Sequence, residues 1–83
     1  TMGAADKAVA EVELAVANAA ILALDLSLAA QSGQAGNLSA LIAAYQAALA
    51  VLNSNRGLLT AEQIAAAEEL LNAVSKVIGP FNI

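Results

Sequence analysis

The side chains of this 83-residue chain that carry acid, base or nucleophile chemistry include seven carboxylates, three cations and five serines, with no histidine or cysteine among them. General acid–base work needs two carboxylates on one face. Glu11 and Glu13 stand two apart and Glu68 and Glu69 are adjacent, so on a helix the members of each pair diverge. Neither pair forms a glycosidase couple, and the Glu-x-x-His ligand set of di-iron bundles is impossible without histidine. The serines have no imidazole to activate them, and Ser75 and Lys76, being neighbours along a helix, do not face each other. The expectation is no catalytic residue, no cofactor and no metal site, with the carboxylates forming solvated helix surface.

A few polar features need a place. Asn18 and Asp25 lie one heptad apart among apolar residues; they form either a narrow water-facing line or a polar seam that fixes register in a helical assembly. Arg56 is the expected partner of Asp25. Gly33 and Gly36 bracket a stretch of turn composition with no cation nearby, which reads as a flexible linker rather than an anion site. Asn37-Leu38-Ser39 matches a glycosylation sequon, but Asn37 is accounted for as a helix N-cap.

These side chains must be positioned by a small, very apolar chain. It is 60% hydrophobic but 2% aromatic, and its alanine content of about a quarter favours helix throughout. The net charge is −4, and Lys7, Arg56 and Lys76 are scattered, so nucleic acid is not an expected partner. No cysteine or histidine is present to staple the fold by disulfide or zinc, which leaves helix packing or self-association. The lack of cysteine fits a reducing compartment and no signal peptide is visible; the expected location is the cytoplasm.

Three helices are predicted, over about 4–30, 38–52 and 61–78, in one domain spanning 1–83. The third is the best specified. Thr60 and Gln63 make a capping box, Leu59 and Ile64 a hydrophobic staple, and Ile64, Ala67, Leu71, Val74 and Ile78 one apolar stripe. Gly79 is expected in the left-handed position that ends a helix, before Pro80. Phe81 and Ile83 are expected to fold back over the core.

The other two helices are apolar on more than one side. Between Asp25 and Arg56 there is no charged residue. The second helix has a large-residue stripe, Leu38, Leu41, Ile42, Tyr45, Leu49 and Leu52, and behind it the alanines Ala40, Ala43, Ala44, Ala47 and Ala50, with Val51 beside them. Alanine is tolerable in water, but an uninterrupted strip of it reads as a face on which another helix packs closely. The first helix carries Val9, Val12, Val16, Ala19, Leu22, Ala23 and Leu26 on one stripe and Leu14, Ile21, Leu24 and Leu28 on a second. Two stripes call for two partners. Its length also predicts an overhang beyond the second helix unless the helix kinks or a second chain covers it.

The expected fold class is all-α: a three-helix bundle with a long first helix, assembling into a helical homo-oligomer. The expected function is a non-catalytic structural or protein-interaction module that self-associates or docks another helical protein. Its expected interface is the alanine strip together with Val51, Leu14, Ile21, Leu24 and Leu28. Two alternatives come from the same composition. One is a membrane-associated, holin-like hairpin inserted through residues 14–30, weakened by Asn18, Asp25 and a second helix of only about 15 apolar residues where about 20 are needed. The other is a bundle that holds a small apolar ligand in a core under-filled by alanine.

Overall fold

Alanine-rich sequence without interior glycine or proline propagates helix, and the first break comes only at Gly33. In the computed structural model, which describes residues 3–34 and 36–81, helix α1 accordingly runs unbroken over Ala4–Gln31. Asp6 sits in its first turn, where a negative charge favours the helix dipole. The helix ends in a Schellman turn: the Gln34 N–H donates to the Ala29 carbonyl at 2.8 Å and the Gly33 N–H to the Ala30 carbonyl at 3.1 Å. Gly33 has φ +73°, a conformation that costs a Cβ-bearing residue free energy.

Gly36, expected in a free linker, lies close against α1. A Cβ on Gly36 would overlap the Leu26 Cδ1 and lie 3.2 Å from the Leu26 Cα, so glycine is what lets the chain pass close over the end of α1. Helix α2 then spans Leu38–Asn55, with the Asn37 side chain accepting a 3.0 Å bond from the Ala40 N–H. It continues three residues beyond the expected end at 52, because its polar residues bond within the last turn. The Asn55 amide donates to the Val51 carbonyl at 2.8 Å, and the Arg56 Nε donates to the Asn53 Oδ1 at 2.9 Å. A 3₁₀ turn over Arg56–Leu58 leads to helix α3, Ala61–Ile78.

The capping box of α3 is complete: the Thr60 Oγ1 accepts from the Gln63 N–H at 3.1 Å, and the Gln63 Oε1 accepts from the Thr60 N–H at 2.9 Å. Leu59 and Ile64 both turn in to the same core cluster. The other end differs from expectation. Gly79 stays right-handed, at φ −48° and ψ −53°, and a 3₁₀ turn follows over Gly79–Phe81. Pro80 explains this: it has no N–H for the next α-helical bond, but its fixed φ suits a 3₁₀ turn, so the helix tightens instead of reversing. Ile83 and the Phe81 side chain lie outside the described residues.

The helices run up, down and up in an array of 45 × 23 × 16 Å. Two core clusters follow one another along α1. Val12 and Val16 meet Ala48, Leu52, Ala67 and Leu71; Ala19, Ala23 and Leu26 meet Leu41, Ala44, Val74 and Ile78. Tyr45 packs against both. The longer α2 and the 3₁₀ turn after it extend the cover of α1, and Ala8 near its start is buried, so the expected overhang is largely absent. Arg56 pairs at 3.2 Å with Glu68 rather than with Asp25, in an exposed bridge that contributes little stability.

Candidate interaction surface

At about 100° per residue, the buried positions of α1 (Ala8, Val12, Val16, Ala19, Ala23 and Leu26) occupy one sector of the helix. Diametrically opposite lie Ala10, Leu14, Ala17, Ile21, Leu24 and Leu28, all exposed. The four large ones are 74%, 60%, 58% and 51% accessible in chain order. Their spacing alternates four and three residues, the pattern of a coiled-coil seam. α2 and α3 therefore cover only the first of the two stripes of α1. Three mutually packed helices form a triangle, so both neighbours of α1 sit on one side of it and neither can reach the far side.

This seam has polar borders. Lys7, Glu11, Asn18 and Asp25 run along one edge, and Asp6, Glu13 and Ser27 along the other, which Ala20 interrupts. Asn18 and Asp25 are both exposed, so the line they form faces water at the border of the seam. α1 as a whole carries four carboxylates against one cation.

The alanine strip of α2 does not form one face. Ala44 is buried in the core beside Ala19 and Ala23, and Ala40 and Val51 are half-buried. Only Ala43, Ala47 and Ala50 are exposed, and Ser39, Gln46, Asn53 and Ser54 interleave with them on the same side. The wet face of α2 therefore exists, made of neutral polar residues instead of charges. Close packing by alanine occurs inside the bundle, where Ala44 and Ala48 meet the small residues of α1. Ala48, fully buried, was missed. The line Leu41, Ala44, Ala48, Leu52, with a large residue at each end, is the signal that would have found it.

Beside the seam, α1 and α3 enclose a cleft of about 250 Å³ lined by Val9, Val12, Val16, Ala66 and Leu70, with Glu13 and Gln63 as polar members. It falls below the roughly 300 Å³ at which ligand pockets begin, and the Gln63 Oε1 is already engaged in the capping box. Among the described residues no cluster of His, Cys, Asp or Glu is placed to hold a metal ion. Likewise, no buried side-chain polar atom among them lacks a hydrogen-bond partner. By length and composition α1 is able to cross a membrane.

What these elements define is an all-α three-helix bundle with an uncovered heptad seam on its longest helix. Comparison with protein-family models, curated proteins and solved structures finds no match for the chain.

Proposed function

We propose that the chain is a non-catalytic interaction module in which α2 and α3 hold α1 rigid while its outer face docks another helix, from a second copy or a different helical protein. The observation that carries this is the exposure of Leu14, Ile21, Leu24 and Leu28 on one heptad line, opposite the core. A helix that only had to cover a three-helix core would carry charged or neutral polar residues there. A contiguous apolar patch bordered by polar residues marks a contact surface.

The face favours a protein partner over lipid. α1 gives six side chains to the core with α2 and α3, so spanning a bilayer would mean unpacking the bundle. Its four carboxylates also oppose an anionic lipid surface.

The test is a photo-activatable amino acid placed at residue 28 on the seam, and separately at residue 47 on the outer face of α2. Protein adducts are expected at 28 and not at 47, both in purified protein and in cells that make it. If position 28 gives no adduct in either setting, the proposal is wrong.

A further inference from the structure

Reversing the seam end for end shows what covers it. Laid antiparallel on a second α1, the six positions fall into layers of Ala10 against Leu28, Leu14 against Leu24 and Ala17 against Ile21, each layer occurring twice about a two-fold axis. Every alanine meets a large residue, and no layer is small on both sides. Laid parallel and in register, Ala10 would meet Ala10 and Ala17 would meet Ala17, leaving voids between leucine and isoleucine layers. Resting on the reading that the outer face of α1 docks a helix, we propose that the helix it takes is α1 of a second copy, antiparallel, in this register.

The borders are compatible with the same arrangement. Asn18 comes beside Asn18 of the second copy, where two amides can bond each other, and Ala20 comes beside Ala20. Glu11 comes near Asp25 of the second copy on each side of the axis, a like-charge contact that Lys7, one turn away, partly offsets. α2 and α3 lie on the far side of each α1, so the two bundles meet back to back without obstruction. The arrangement is isologous and closes at two copies.

The seam from residue 10 to residue 28 is about 27 Å long. A helix pair of that length buries roughly 1,000–1,200 Å² in total, near the low end for a specific contact, so a weak, concentration-dependent dimer is expected.

The chain has no cysteine, so engineered thiols are the only ones present. Sedimentation equilibrium of the unmodified protein from about 1 to 500 µM comes first. A monomer–dimer equilibrium is expected, and Ile21→Glu is expected to raise its dissociation constant more than about 100-fold while the helical circular dichroism is unchanged. Leu14→Cys and Leu24→Cys are then oxidised mildly, each alone and mixed. The mixture is expected to give a disulfide between residue 14 of one copy and residue 24 of the other. Neither variant is expected to cross-link alone, because two copies of residue 14 lie about 15 Å apart along the axis, beyond disulfide reach. Ala10→Cys with Leu28→Cys must behave the same way, and this pair leaves the central layers intact. A dimer in which Leu14→Cys cross-links to itself overturns the antiparallel register. A chain that stays monomeric at 500 µM overturns the second-copy inference, while adducts at position 28 with other proteins would leave the docking reading standing. A dimer indifferent to Ile21→Glu also overturns the second-copy inference, and the docking reading is then decided by the adducts at position 28.

Discussion

Replacing Ala48 by Leu should destabilise the bundle, whereas the same change at its neighbour Ala47 should not. Ala48 has no accessible surface and sits among Val12, Val16, Leu52, Ala67 and Leu71, at the place where alanine lets α1 and α2 approach. Three added carbons have no space to enter without off-rotamer side chains or a backbone shift, which costs about 1–3 kcal/mol even after the extra burial. Ala47 is exposed on the outer face of α2, where leucine is nearly as good a helix former, so the effect there stays within about 0.5 kcal/mol. For a domain of this size each kcal/mol moves Tm by roughly 4–8 °C, so Ala48→Leu should melt about 5–20 °C lower. Urea unfolding followed at 222 nm measures the difference, with the slope m expected unchanged and the midpoint reduced. The titration should be run at two protein concentrations tenfold apart, since association through the seam would add concentration-dependent stability to every variant. If Ala48→Leu is as stable as the parent while Ala47→Leu is destabilised, α2 is rotated about its axis and its close-packing alanines face outward.

Gly36→Ala should cost at least about 1–3 kcal/mol in the same assay, because the new methyl would press on the backbone of Leu26 as well as its side chain. A neutral result would mean that Gly36 does not pass close to α1. Thr60→Ala removes the acceptor for the Gln63 N–H and should cost about 1 kcal/mol, while Thr60→Ser should retain most of that stability. If serine and alanine are equally poor, the cap is not the cause. Asp25→Lys should tighten the antiparallel dimer about five- to tenfold at low salt by turning two Glu11–Asp25 repulsions into attractions, a gain that 0.5 M NaCl should remove. In a parallel dimer residue 25 lies beside Ala20 and the affinity would not change.

The elements were legible where residue types have narrow uses. Asn37 and Thr60 announce helix starts because their side chains accept a bond from the first turn, and both do. What was not legible is the inward side of α2. Alanine lies on both sides of that helix and carries almost no burial signal, so Ala44 and Ala43 look alike in sequence though one is in the core and the other in water. The glycines were ambiguous for another reason. Gly33 and Gly79 both follow an apolar helix, and only the proline after Gly79 separates the reversing turn from the tightening one. Asn53, Ser54 and Asn55 have loop composition, yet such side chains can close a helix end, as Asn55 does by donating to the Val51 carbonyl and Asn53 by accepting from the Arg56 guanidinium. The partner of Arg56 depended on topology: the turn into α3 brings Glu68 back beside it.

The two stripes of α1 were visible, and their fate follows from packing geometry. A helix in a triangle of three is covered over one sector only, with its two neighbours side by side. An apolar line on the opposite side is then either a solvation cost that the fold bears alone or a surface kept for something else. We take the second case, on a contrast within one molecule. The outer face of α2 carries Ser39, Gln46, Asn53 and Ser54 among its alanines, and α3 carries Glu62, Glu68, Glu69 and Lys76 on its outer side, with Leu70 exposed on its flank. On α1 the chain supplies polar residues at the two borders and leaves the line between them to Leu14, Ile21, Leu24 and Leu28. That placement is the pattern of a helix with a fourth neighbour, and the alternation of small and large residues along it matches the same helix turned end for end.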